Sequence, residues 1–155
     1  MPAAENTFDI DLNTRKINAP KMLSIEKDHK SEVIYFQVDR FADYMDLAHT
    51  CCVVQYNVQR KDAKGNTVTK TYFYPVPFFD VYRKVDEKKI LFPWCLDASV
   101  TSASGIVEFA VCFFKTGIKI NDNGQAEQIY TYKLSTLPAK SEVIKGIATH
   151  EITTE

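Results

Sequence analysis

Gly105-Ile106-Val107-Glu108-Phe109-Ala110-Val111-Cys112-Phe113-Phe114-Lys115 is the stretch on which the fold turns. Side chains of an extended chain alternate between faces, so Val107, Phe109, Val111 and Phe113 share one side. Glu108, Ala110, Cys112 and Phe114 take the other. One face is wholly apolar and the other mixed, as in a central strand with one side on a core and the other partly wet. A run so rich in β-branched and aromatic residues, opened by a glycine, favours a strand over a helix.

The same alternation recurs on both sides of this run. Phe8, Ile10 and Leu12 alternate with acids and an amide. Residues 22–26 make a further candidate strand. In residues 33–38, Ile34, Phe36 and Val38 share a face, and in residues 51–60, Cys52, Val54, Tyr56 and Val58 do. Residues 67–74 read as a strand from their β-branched and aromatic content, 78–82 and 89–95 as further strands around a charged turn, and 127–134 by alternation. Residues 61–66 and 121–124 carry the Gly, Asn and Asp that tight hairpin turns need. Pro75-Val76-Pro77 excludes a central-strand position and predicts an edge or a crossing between sheets. Residues 39–48 read as a short helical turn or an irregular connection, and residues 139–145 as a short helix ended by Gly146.

About nine short strands separated by turn signals predict an all-β fold, an antiparallel immunoglobulin-like or jelly-roll-like β-sandwich. Residues 8–145 form the sandwich domain, with a flexible N-terminal arm over 1–7 and a C-terminal tail over 146–155.

Composition narrows the function. The formal net charge is −1, which offers no basic face for nucleic acid. No run approaches the ~18 apolar residues of a membrane span. The N-terminus lacks a secretory signal pattern, so cytoplasmic synthesis is expected. Four cysteines, Cys51, Cys52, Cys95 and Cys112, suit a reduced compartment better than a disulfide scaffold. Ten Phe, eight Tyr and one Trp bring the aromatic share to 12%, a composition that favours strands and interfaces.

Motifs for chemistry are weak. Asp9-Ile10-Asp11-Leu12-Asn13 opens like a calcium loop, but Thr14 stands where the loop needs Gly and Pro20 where it needs Glu. The cysteines and His29, His49 and His150 show no zinc spacing. Adjacent Cys51 and Cys52 would point to opposite faces of a strand, which opposes a vicinal disulfide. No Gly-flanked serine elbow or phosphate-cradling glycine loop is present. Asp43 and Asp46 read as a solvated loop rather than an acid–base pair. The expectation is a non-enzyme with no catalytic residue, cofactor or metal.

Tyr72-Phe73-Tyr74-Pro75-Val76-Pro77-Phe78-Phe79-Asp80-Val81-Tyr82 is the functional candidate. Alternation buries only about half of these rings in one core, and exposed apolar patches mark association surfaces. Tyr72, Tyr74, Val76, Phe78, Phe79 and Tyr82 are therefore the candidate interface. The rings of Tyr72, Tyr74, Tyr82 and Trp94 are alternatively a platform for stacking on cell-wall glycans, as in a carbohydrate-binding module. The third option is that all of them seal an internal core.

Residues 24–40, with a strand, a charged Lys27-Asp28-His29 turn and a second strand, followed by Asp46-Leu47 before the strand at 51–60, form a pattern with a known likeness. Leu91-Phe92-Pro93-Trp94, Gly105-Ile106-Val107-Glu108-Phe109 and residues 132–141 extend it. Together they resemble the N-terminal domain of upper baseplate proteins of tailed bacteriophages. The resemblance implies an immunoglobulin-like sandwich that docks a receptor-binding fibre or accessory protein onto the virion, with no catalytic residues. Its partners would be other virion proteins of the baseplate, tail or capsid, and the chain itself a homo-oligomer in the particle. Those relatives continue into a helical or fibre-forming section, so a single small domain fits a capsid decoration, head-fibre or collar role as well.

Overall fold

The computed structural model describes residues 7–19, 22–25, 33–81, 88–96, 100 and 105–144, with the backbone alone at 22–25, 81 and 144. Residues 1–6 of the proposed arm, the whole of the proposed tail, and the candidate interface residue Tyr82 lie outside the described residues; Thr7, the last residue of the expected arm, is instead part of a strand.

The strand predicted to be central is so, and it is longer than its apolar run: β11 (Gly105–Ile120) spans 16 residues. Val107, Phe109, Val111 and Phe113 are buried on its inner side. On one flank it pairs antiparallel with β7 (Cys51–Lys61). On the other flank its two halves take different partners. β13 (Ala139–Ile144) pairs with the first half and β12 (Ala126–Ser135) with the second. Thr136 bridges the change of partner. Its N–H donates to the Val111 carbonyl at 2.9 Å, and its hydroxyl oxygen accepts from the Val111 N–H at 3.0 Å.

β8 (Thr67–Pro75) closes this sheet beyond β7, and β3 (Met22–Ile25) lies parallel to β13 at the opposite edge. The second sheet is built from β1 (Thr7–Asp11), β2 (Lys16–Ile17), β4 (Val33–Asp39), β9 (Asp80–Val81) and β10 (Lys89–Cys95), in the order β2-β1-β4-β10-β9. β1 runs parallel to β4, whereas β10 is antiparallel to it. A small hairpin of β5 (Phe41–Ala42) and β6 (Met45–Asp46), then a 3-10 turn over Leu47–His49, fills the connection left open at 39–48.

The inner faces of the two sheets share one core. Trp94 of β10 stacks on Phe36 of β4, and it meets Tyr56 of β7 and Phe109 of β11 with ring centroids 5.2 and 5.1 Å apart. Phe92 stands edge-on to Phe113 at 5.7 Å. Burying each such ring contributes about 1.5–3 kcal/mol relative to leaving it in water, so this aromatic stack is the main cohesion between sheets. The indole Nε1 of Trp94 is buried with no hydrogen-bond partner among the described residues.

The chain is all-β in mostly antiparallel sheets, with 13 strand segments among the described residues against about nine expected. Part of the excess comes from two-residue strands, which are too short to show an alternation. The helix expected at 139–145 is β13 over its described residues. Ser141 and Val143 are buried there at period two, against Val107 and Gly105 of β11.

Candidate docking surface

The aromatic stretch lies along an edge. β8 has β7 on one flank and, among the described residues, no strand on the other. It ends at Pro75, after which the chain crosses to β9 in the second sheet. The register Tyr56↔Tyr72 and Val54↔Tyr74 turns both tyrosines inward, because Tyr56 and Val54 are core residues. Tyr72 stacks on Tyr56 with centroids 5.4 Å apart. Burial, then a hydrogen bond with Cys95, pushes the Tyr74 phenol up to about 12. Val76 also packs on the core, its N–H donating to the Cys52 carbonyl at 2.9 Å. Phe79 stands edge-on to Phe92 and stacked on Phe113.

The candidate interface therefore divides. Tyr72, Tyr74, Val76 and Phe79 are half-buried parts of the core margin, and Phe78 is 50% exposed. Phe73, which alternation sets on the opposite face from Tyr72 and Tyr74, is 62% exposed. The stacking-platform expectation needs correction at Trp94: its ring has 0% exposure and no face to offer a sugar. Tyr72 and Tyr74 direct their rings into the domain, for the register reason above.

A larger apolar surface was not singled out from the sequence. β7 starts at Cys51 opposite Phe114. Beyond that level β11 and β12 pair only with each other among the described residues and form a two-stranded arm. A β-bulge between Lys115 and Thr116 marks its base, and bulges increase local twist. At its tip the Asn121 side-chain oxygen accepts from the N–H groups of Asn123 and Gln125 at 3.0 and 2.9 Å, and Gly124 takes a φ of 77°. The β7–β8 hairpin repeats the device with Asp62 and Gly65, the latter at a φ of 84°.

One face of the arm carries four large apolar or aromatic side chains, interleaved with Thr116, Gln128 and Lys133. Phe114 stands edge-on to Tyr130 at 5.8 Å, and Lys133 Nζ lies 5.1 Å from the centre of that tyrosine ring. Ile118 and Ile120 continue the face toward the tip, exposed by 69% and 63%, and Tyr130 by 60%. A shallow hollow of about 290 Å³ runs between Phe114, Thr116, Gln128, Ile129 and Tyr130. The visible signal in the sequence is Ile118-Lys119-Ile120 alternating up to the Asn121–Gly124 turn. What sequence hides is that, among the described residues, no third strand pairs with it.

The acidic candidates have local work. Asp46 accepts from Arg40 Nε and Nη2, both at 2.9 Å, and from the Ala48 N–H at 3.0 Å. The Arg40 hydrogen bonds hold its carboxyl below the usual carboxylate range, against an opposing push from burial. Asp43 occupies a left-handed turn position with a φ of 55°. Of the calcium-like run, Asp11 accepts from the N–H groups of Asn13 and Thr14, and Asp9 from the Gln37 amide. Among the described residues, no group of three or more His, Cys, Asp or Glu side chains is placed to hold a metal ion. All four cysteines are free thiols.

Comparison with protein-family models, with curated proteins and with solved structures returns no match for this chain.

Proposed function

We propose that this chain is a non-enzymatic structural protein of a tailed-phage virion, an immunoglobulin-like sandwich that docks onto a neighbouring virion protein through its projecting arm. The observation that carries the reading is the arm's apolar face, where Ile118, Ile120 and Tyr130 are each more than half exposed. Contiguous apolar surface of this kind is characteristic of association sites. Phe78, half exposed where the chain crosses between sheets, is the part of the candidate interface still available for contact.

The strand order favours the immunoglobulin-like reading over a jelly roll. β1-β4-β10-β9 facing β13-β11-β7-β8 follows the A-B-E-D and G-F-C-C′ arrangement of a variable-type domain. The departure is β1, which is parallel to β4. The virion assignment rests on the resemblance at residues 24–40, 46–47 with the strand at 51–60, 91–94, 105–109 and 132–141.

The test is incorporation into particles. Ile118→Glu with Ile120→Glu should lower occupancy at least about tenfold, the effect of losing roughly 1.4 kcal/mol of contact, while the far-UV β signal is retained. Phe78→Ser should add to the defect. Phe79→Ser is unsuitable, because that ring packs on Phe92 and Phe113. Normal occupancy of the double variant would remove the arm as the docking element. The virion component that copurifies distinguishes a baseplate or tail position from a capsid decoration or collar.

A further inference from the structure

The outer face of the larger sheet has a composition that the docking arm does not use. Registers across β8, β7, β11 and β12 or β13 define levels of side chains pointing away from the core. Phe73, Gln55 and Ala110 share one level; Pro75, Val53, Cys112 and Ser135 share the next. Leu137, 50% exposed, follows Ser135 and lies near the level of Ala110. Charges are confined to the ends. Lys133 lies above this band, and Glu108 below it sits between Asn57 and Lys140. An uncharged centre with a charged margin is the layout of a protein interface.

We propose that this face binds the same face of a second copy of the chain, about a two-fold axis parallel to the strands and between β7 and β11. The choice of occupant follows from charge. The axis lays β7 on the partner's β11, and β8 on the partner's β12 and β13. Glu108 then faces a neutral Asn57, Lys140 faces Thr71, and Lys133 clears the end of β8 at Pro75. Phe73 falls on Leu137 at both symmetry-related positions. No like charges oppose each other. A two-fold axis across the strands, between the levels of Ala110 and Cys112, would instead stack Lys133 on a second Lys140.

The size is adequate for such a pair. Four strands about 4.8 Å apart and the four levels from Glu108 to Phe114, about 6.8 Å apart, give roughly 520 Å² per copy. Two copies bury roughly 1,050 Å² in total, at the ~1,000 Å² expected of a specific interface. The inference goes beyond the virion reading, since it uses the four-stranded part of the outer face, below the arm, and is tested on the purified chain.

In sedimentation velocity the chain should be a dimer at about 100 µM, as a roughly micromolar interface of this size requires. Ala110→Glu should weaken dimerisation at least about tenfold with an unchanged far-UV spectrum, and Ile118→Glu with Ile120→Glu should leave it intact. A second test does not depend on a disruptive charge. In a Cys51→Ser, Cys95→Ser background, a short bismaleimide should join Phe73→Cys of one copy to Leu137→Cys of another. A monomeric wild type, a dimer indifferent to Ala110→Glu, loss of the dimer in the arm variant, or no cross-link in the mixture would each overturn the proposal.

Discussion

Asp46 shows how one side chain secures a short connection, joining the end of the β5–β6 hairpin to the 3-10 turn that follows it. Its two oxygens take both an arginine fork and a backbone N–H. Arg40 and Asp46 are each only about one-fifth exposed at 21% and 19%. Charge-assisted bonds of this kind contribute about 1.5–3 kcal/mol each at most, less for a partly wet pair. Asp46→Asn should therefore cost about 1–3 kcal/mol at neutral pH, measured by urea unfolding. The carboxyl is held below its ordinary value of 3.8. Its stabilisation is thus complete above that value and disappears as pH falls through the lower folded one. The gap between variant and parent should close over that acid limb. Tyr74 has the opposite sense: its neutral form is the one favoured by folding. That contribution is whole below the usual phenol value of 10.0 and fades as pH rises toward about 12.

At the scale of elements, period-two alternation made most strands legible. Cys52, Val54, Tyr56 and Val58 could face only one way, and they are buried. Three things escaped it. Tyr72-Phe73-Tyr74 is apolar at every position, so alternation could not say which rings turn inward; the register against Tyr56 does. β13 was hidden because a serine occupies one of its two buried positions, which breaks the apolar alternation that marks a strand. The arm was hidden because its exposure depends on where β7 begins, a fact about a different part of the chain. Gly105 is an element-scale prediction. Its φ of 152° is a conformation that side chains rarely adopt, and a Cβ there would run into the Gln59 carbonyl oxygen. Gly105→Ala should cost about 1–3 kcal/mol. Gly65→Ala, with open space around the added carbon, should cost about 1 kcal/mol from its φ alone. Urea midpoints with unchanged slopes would check both.

The molecule coheres through a core in which neither sheet is complete without the other. The lone Trp94 touches rings of both sheets, so its fluorescence reports their separation directly. Emission should be blue-shifted in the native state and resistant to iodide. Its unfolding transition should coincide with the far-UV signal if the two sheets part in one step. β11 belongs both to that core and to the arm, so a pull on the tip is a pull along the core's own axis. The bonds that hold β11 to β7 and β13 lie across this direction, and the load divides among them instead of unzipping them in turn. A single length of backbone serves as both tether and keel.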